Sequence, residues 1–224
     1  MFCLSAWLHR LFHRLLSEVI IMEQWENNIT LRGDLKALPA FSHENHGKPF
    51  YRFCLEVERL SGAVDTLPVI AELSLLEQLD LSGGSRIRVE GQIRTHNISD
   101  DTGRHLLVFV FARELHAEDG PPENTLRLRG AICREPGYRR TPLGREICDV
   151  MLAIPRAFHR ADYLPCILWG KLAKMASRCR TRDILSIEGR LQSRVYTKYI
   201  DNCPTERTAY EVSALTACCE SEVI

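Results

Sequence analysis

The sequence predicts an all-β protein of two tandem five-stranded barrels, each with a short helix between its third and fourth strands. Three observations predict it. First, the stretch from Tyr163 to Leu191 changes period twice. From Tyr163 to Trp169 it alternates: Tyr163, Pro165, Ile167 and Trp169 share one side, and Leu164, Cys166 and Leu168 the other, as in a strand. After Gly170, Leu172, Met175, Ala176 and Cys179 fall at i, i+3, i+4 and i+7, one face of a short helix, and Ile184 to Leu191 is again β-branched and apolar. Second, Glu188-Gly189 interrupts that last run, and glycine inside a strand marks a bulge or sharp bend. Third, the pattern recurs. Asn27, Leu31, Arg32, Gly33, Pro39, Gly47, Arg59 and Pro68 have counterparts 97 positions later, and Glu90-Gly91 has one 98 positions later. Strand, short helix, bent strand is the join between the third and fourth strands of an OB-fold barrel, and a repeat of this length is a duplicated domain.

In chain order, residues 1–21 stand apart, with Leu4, Leu8, Leu11, Phe12, Leu15, Leu16 and Val19 on a helical stripe interrupted by His9, Arg10, His13 and Arg14. These charges break up the apolar core of a signal peptide instead of preceding it. The stretch reads as a leader ahead of a functional start at Met22, or as an amphipathic helix. The first barrel spans 22–117, with a strand from Asn28 to Leu38, a helical stretch from Glu72 to Asp80 stopped by Gly83-Gly84, and a strand from Ile87 to Thr95. Residues 118–123 form a short acidic linker stiffened by Pro121 and Pro122. The second barrel spans 124–217, and 218–224 is a short acidic tail.

The composition is that of an ordinary globular chain, 45% hydrophobic and 26% charged, with no apolar run near the ~18 residues that cross a membrane. The net charge of zero conceals an asymmetry. Residues 124–217 hold 17 Lys and Arg against 9 Asp and Glu; residues 1–123 hold 12 against 18. A basic half suits a polyanion, because binding follows local charge. Nine Cys without a C-x-x-C read as reduced thiols, and Cys54, Cys133, Cys148 and Cys166 as small buried hydrophobes in apolar segments. No catalytic motif, P-loop or zinc-ligand spacing is present in the sequence, so the chain reads as a protein without enzymatic activity, cofactor or metal. His43, His46, His96 and His105 read as solvated loop residues.

The runs LPCILWGKLAKMA and ILSIEGRLQSRVY, preceded by NTLRLRGAICREPGYRRTPLGREICDVMLAI, closely resemble the bacterial single-stranded DNA-binding protein family from about Asn124 to Ala217. The resemblance implies non-sequence-specific binding and protection of single-stranded DNA in replication, recombination or repair, in a cytoplasmic, nucleoid-associated homodimer presenting four barrels. It places stacking aromatics at Phe158, Tyr163, Trp169 and Tyr196. The cations beside them are Lys171, Arg190, Arg194, Arg156, Arg160, Arg139 and Arg140, and single-strand binders pair such π faces with cations along the backbone track. The family's long tail with its acidic tip has no counterpart in CCESEVI, which puts recruitment of replication or repair proteins by that route in doubt.

The first barrel carries Ser61, Thr66, Glu72 and Ile98 at the places of the four aromatics, so it is expected to keep the fold without the stacking platform. Phe50, Tyr51 and Phe53 belong either to its core or to a shifted surface. The competing reading of the whole chain is an OB-fold interaction protein acting through protein contacts, such as a replication-restart or recombination accessory.

Overall fold

In a computed structural model of the chain, residues 24–100, 103–200 and 203–220 are described; the leader at 1–21 and the end of the tail lie outside them. The first half runs β1 (Glu26–Leu35), β2 (Ala40–Asn45), β3 (Lys48–Glu58), β4 (Val64–Glu72), α1 (Leu73–Leu76), β5 (Arg86–Asp100) and β6 (Gly103–Ala117). The second runs β7 (Glu123–Ile132), β8 (Gly137–Arg140), β9 (Glu146–Arg156), β10 (Arg160–Trp169), α2 (Lys171–Ala176), β11 (Ile184–Ile200) and β12 (Cys203–Glu220).

Each half closes on itself. β1 pairs β5, β5 pairs β6, β6 runs parallel to β4, β4 pairs β3, and β3 returns to β1. β7, β11, β12, β10 and β9 close the same way. Alternation explains the closure: Leu164, Cys166 and Leu168 of β10 point inward with Val150, Leu152 and Ile154 of β9, all 3% exposed or less. The bend expected at Glu188-Gly189 is a bulge, matched by one at Glu90-Gly91. A Cβ on Gly189 would lie 2.3 Å from the Ser213 carbonyl oxygen, and one on Gly91 2.2 Å from that of Phe111, so only glycine lets these strands cross so closely.

The barrels join edge to edge. β1 pairs antiparallel with β7, from Glu26 opposite Arg129 to Arg32 opposite Glu123, making one twelve-stranded sheet. Ile29 faces Leu126, its own counterpart in the repeat, so a pseudo-two-fold axis passes through that pair. Each barrel then clamps the other through a buried aspartate. Asp65, fully buried, accepts hydrogen bonds from the Ser193 N–H (2.7 Å) and hydroxyl (2.9 Å), and from Arg59 Nε (2.7 Å). Asp162, also fully buried, accepts from the Thr95 N–H (2.8 Å) and Arg94 Nη1 (2.9 Å). Asn27 and Asn124 repeat the theme within each barrel, exchanging two hydrogen bonds with the backbone of Ile93 and Leu191.

Several expectations shift. The first helix is one turn, 73–76, because Leu79 and Leu81 pack on the core from irregular backbone that prolongs the apolar period. The linker is strapped down: Arg32 binds the Glu118 carboxylate and the Pro121 carbonyl. The tail expected at 218–224 loses its first three residues to β12, which pairs with β11 as far as Glu220. Cys148 and Cys166 are buried as expected, whereas Cys133 follows β7 and is exposed.

Candidate nucleic-acid interface

The outer face of the second barrel is built from the residues left over by its core. On β10 these are Tyr163, Pro165 and Trp169, with Ile167 of the same parity buried between them; on β11, past the bulge, they are Arg190, Arg194 and Tyr196, with Gln192 of the same parity buried. Directly paired residues share a face. Trp169 pairs with Ile147 and Ile147 with Arg139, so Trp169 and Arg139 lie in one row. Arg190 pairs with Ser213, Ser213 with Ile167, and Ile167 with Asp149, which forms the next row.

The aromatics are displayed in different degrees. Phe158 is 91% exposed at the tip of the β9–β10 turn, where its φ of 60° and the 54° of His159 are left-handed values that a non-glycine residue adopts at a cost of about 1 kcal/mol or more. Tyr163 and Tyr196 are 44% and 39% exposed, and the Arg194 guanidinium lies 5.7 Å from the Tyr196 ring centre. Trp169 is half-buried at the end of its strand.

The cations divide by partner. Arg139 forks onto Asp149 (2.7 and 3.3 Å), and that hydrogen bond is the main cause raising its pKa. Arg140 lies 3.3 Å from Glu146. Arg194 Nε lies 3.9 Å from Glu211, which also accepts from Gln192 (2.8 Å). Lys171 and Arg160 are exposed. Arg190 is half-buried and its enclosed Nε has no hydrogen-bond partner among the described residues.

Arg156 sits where the barrels meet. It lies 3.4 Å from Asp162, the aspartate that Arg94 already binds, and its own Nε makes no hydrogen bond among the described residues. Burial lowers its pKa most; Asp162 opposes this, while Arg94 and Arg160 add to it. With Arg160, Tyr163, Thr95, His96 and Asn97 it lines a cleft of about 330 Å³, and the Tyr163 N–H donates to Thr95 Oγ1 (2.9 Å). The first barrel thus builds one wall beside Tyr163, through residues that alternation alone did not single out. The signal existed: Asp65 and Asp162 are also 97 positions apart.

The equivalent face of the first barrel is closed. Glu72, in the place of Trp169, accepts from Lys48 Nζ (3.0 and 3.1 Å), and the Lys48 and Ser74 hydrogen bonds hold its carboxyl below the ordinary carboxylate range. Phe53 is in the core and Tyr51 packs against it. Phe50 is buried too, between Phe111 (ring centres 5.8 Å apart) and His43, which is exposed, as expected, and stacks on it at 5.1 Å.

A closed barrel of this strand order with an aromatic, cation-rimmed outer face defines a duplicated OB-fold binding protein. Residues 123–217 match the model of the single-strand binding protein family. Over 80 residues the chain is 34% identical to "Single-stranded DNA-binding protein B" of Bacillus subtilis, covering 33% of this chain and 71% of that one. It is 32% identical to a Bacillus cereus "Single-stranded DNA-binding protein", spanning 33% of this chain and 47% of that protein's length. The chain belongs to the single-strand binding protein family. Among solved structures it is similar to a deletion mutant of the single-stranded DNA binding protein from Thermus aquaticus, with a TM-score of 0.71, 25% identity, and coverage of 91% of this chain and 98% of that one. The wild-type structure of that protein shares the fold at a TM-score of 0.73 and 24% identity, over 89% of this chain and 95% of the other.

Proposed function

We propose that the second barrel binds single-stranded DNA without sequence preference. Bases stack on Phe158, Tyr163, Trp169 and Tyr196, and phosphates meet Lys171, Arg190, Arg194, Arg156, Arg160, Arg139 and Arg140. The observation that carries this is Phe158: a large apolar ring held out in water on left-handed backbone, beside two arginines. Core packing gives no reason for it, and a base provides one. Arg156 and Arg190 are half-buried and bring positive charge to the same face for phosphates to meet. The names of the relatives support the ligand. The first barrel acts as a rigid neighbour and not as a second stacking surface. Two such chains supply four barrels as a homodimer, in replication, recombination or repair, with no catalytic step.

Titration of the full chain with oligo(dT), oligo(rU) and a duplex of equal length, followed by tryptophan fluorescence, tests the reading. Oligo(dT) is expected to bind far more tightly than duplex, with log K falling against log[salt] by about 0.7 per phosphate contacted. Equal affinity for the duplex refutes it, and no binding to any nucleic acid turns the assignment to the protein-interaction reading.

A further inference from the structure

Beneath α2, three side chains from separate parts of the chain converge. Cys179 follows the helix, Asp183 closes the turn before β11, and Cys219 lies near the end of β12. Their ligand atoms all lie within 4.8 Å of one another. The Met175 thioether stands 3.9 Å from the Cys179 sulfur, and the Cys219 sulfur 3.9 Å from Asp183 Oδ2. Cys179 is 7% exposed and Asp183 9%.

The repeat shows what folding alone needs at this place. In the first barrel the Ser85 hydroxyl accepts the Ser82 N–H (2.9 Å) and Leu81 packs on the core. In the second, Asp183 accepts the Arg180 N–H in the same way (2.8 Å), and Cys179 replaces the leucine. A neutral hydroxyl therefore suffices for the turn. The second barrel has instead a buried carboxylate with no Lys, Arg or His paired to it among the described residues, and two thiols beside it. A buried carboxylate without a cation is costly, and what this cluster lacks is a cation.

We propose that Cys179, Asp183 and Cys219 form a zinc-binding site, with the Met175 thioether facing the fourth position. Thiolates select a borderline or soft ion over magnesium or calcium. Zinc–sulfur bonds of about 2.3 Å in a tetrahedron put the two sulfurs roughly 3.7 Å apart, which side-chain rotation reaches from the present spacing. Without metal, burial above all, then Cys179 and Asp183, push the Cys219 thiol up to about 12. Binding displaces the thiol protons to solvent. The ion would tie the end of β12 to the turn that leads into β11.

The test uses the full chain, reduced and stripped with a chelator, titrated with cobalt(II) and then zinc(II). A thiolate-to-cobalt charge-transfer band should saturate at one equivalent and vanish when zinc is added. Cys179→Ser and Cys219→Ser should each lose it, and Cys218→Ser, at the exposed neighbouring position, should keep it. Asp183→Ser restores the first barrel's arrangement, keeps the turn, and should lose zinc affinity in competition with a chromophoric chelator. Circular dichroism without metal establishes that each variant is folded; if Cys179→Ser is not, Cys219→Ser and Asp183→Ser decide. Absence of the band in the wild-type chain, its survival in Cys219→Ser, equal dependence on Cys218, or unchanged zinc affinity in Asp183→Ser overturns the proposal.

Discussion

Replacing Asp162 by Asn tests whether the barrels are locked by charge or merely share an edge. The substitution keeps an oxygen for the Thr95 N–H and removes the negative charge between Arg94 and Arg156. Removing one partner of a buried pair costs about 3–5 kcal/mol. Here the two arginine side chains are 20% and 25% exposed and can regain water, so the expected loss is nearer about 2–3 kcal/mol. Ala at the same position also orphans the Thr95 N–H, adding about 1–3 kcal/mol. At this chain length each kcal/mol lowers Tm by about 2–4 °C, so Asn should shift it by about 4–12 °C. Urea denaturation of Asp162→Asn, Arg94→Met and the double variant gives the coupling directly. A cost below about 0.5 kcal/mol for Asn, or a coupling of zero, refutes the clamp.

Three further outcomes are expected. Burial pushes the Asp65 carboxyl up, but hydrogen bonds from Arg59 and from the Ser193 N–H and hydroxyl outweigh it and leave it below the ordinary carboxylate range. Its stabilisation is therefore present above about pH 3.9 and lost as pH falls through the folded value, so urea midpoints followed down to acid pH should fall less steeply for Asp65→Asn than for wild type. Trp169→Ala should weaken oligo(dT) binding by about 1–3 kcal/mol with little change in salt slope, whereas Lys171→Ala should flatten that slope by about 0.7; identical slopes would mean that both act through the same kind of contact. Phe158→Ala should leave Tm unchanged, the ring being 91% exposed, yet reduce affinity for oligo(dT); a fall in Tm would instead assign the ring a packing role.

Period and parity carried most of the fold. Leu164, Cys166 and Leu168 point inward because alternation leaves a strand no other choice, and Glu188-Gly189 bends because only glycine fits the crossing. The same parity put Tyr163 and Trp169 outward. What alternation cannot report is docking. Arg156 reads as one more surface cation until Asp162, which looks like an ordinary polar residue at the start of a strand, turns out to be fully buried at a junction between barrels. Cys179 and Cys219 are 40 positions apart, and only closure of the barrel brings them together. The first barrel's helix is shorter than its apolar spacing implies, because Leu79 and Leu81 continue that spacing after the backbone has left the helix.

The β1–β7 seam has a thermodynamic consequence. Barrels that met as separate chains would part on dilution, and each would have to keep the docking edge, the clamp and the ligand face together. Covalent linkage through a strapped five-residue segment instead holds the partner edge at an effective concentration set by the linker, of millimolar order for short flexible tethers, whatever the amount of protein present. One member of the pair is then free to drift. Glu72 and Lys48 can close off a surface that its twin leaves open, because the drifting barrel is still held in place by Asp65, Asp162 and the shared edge.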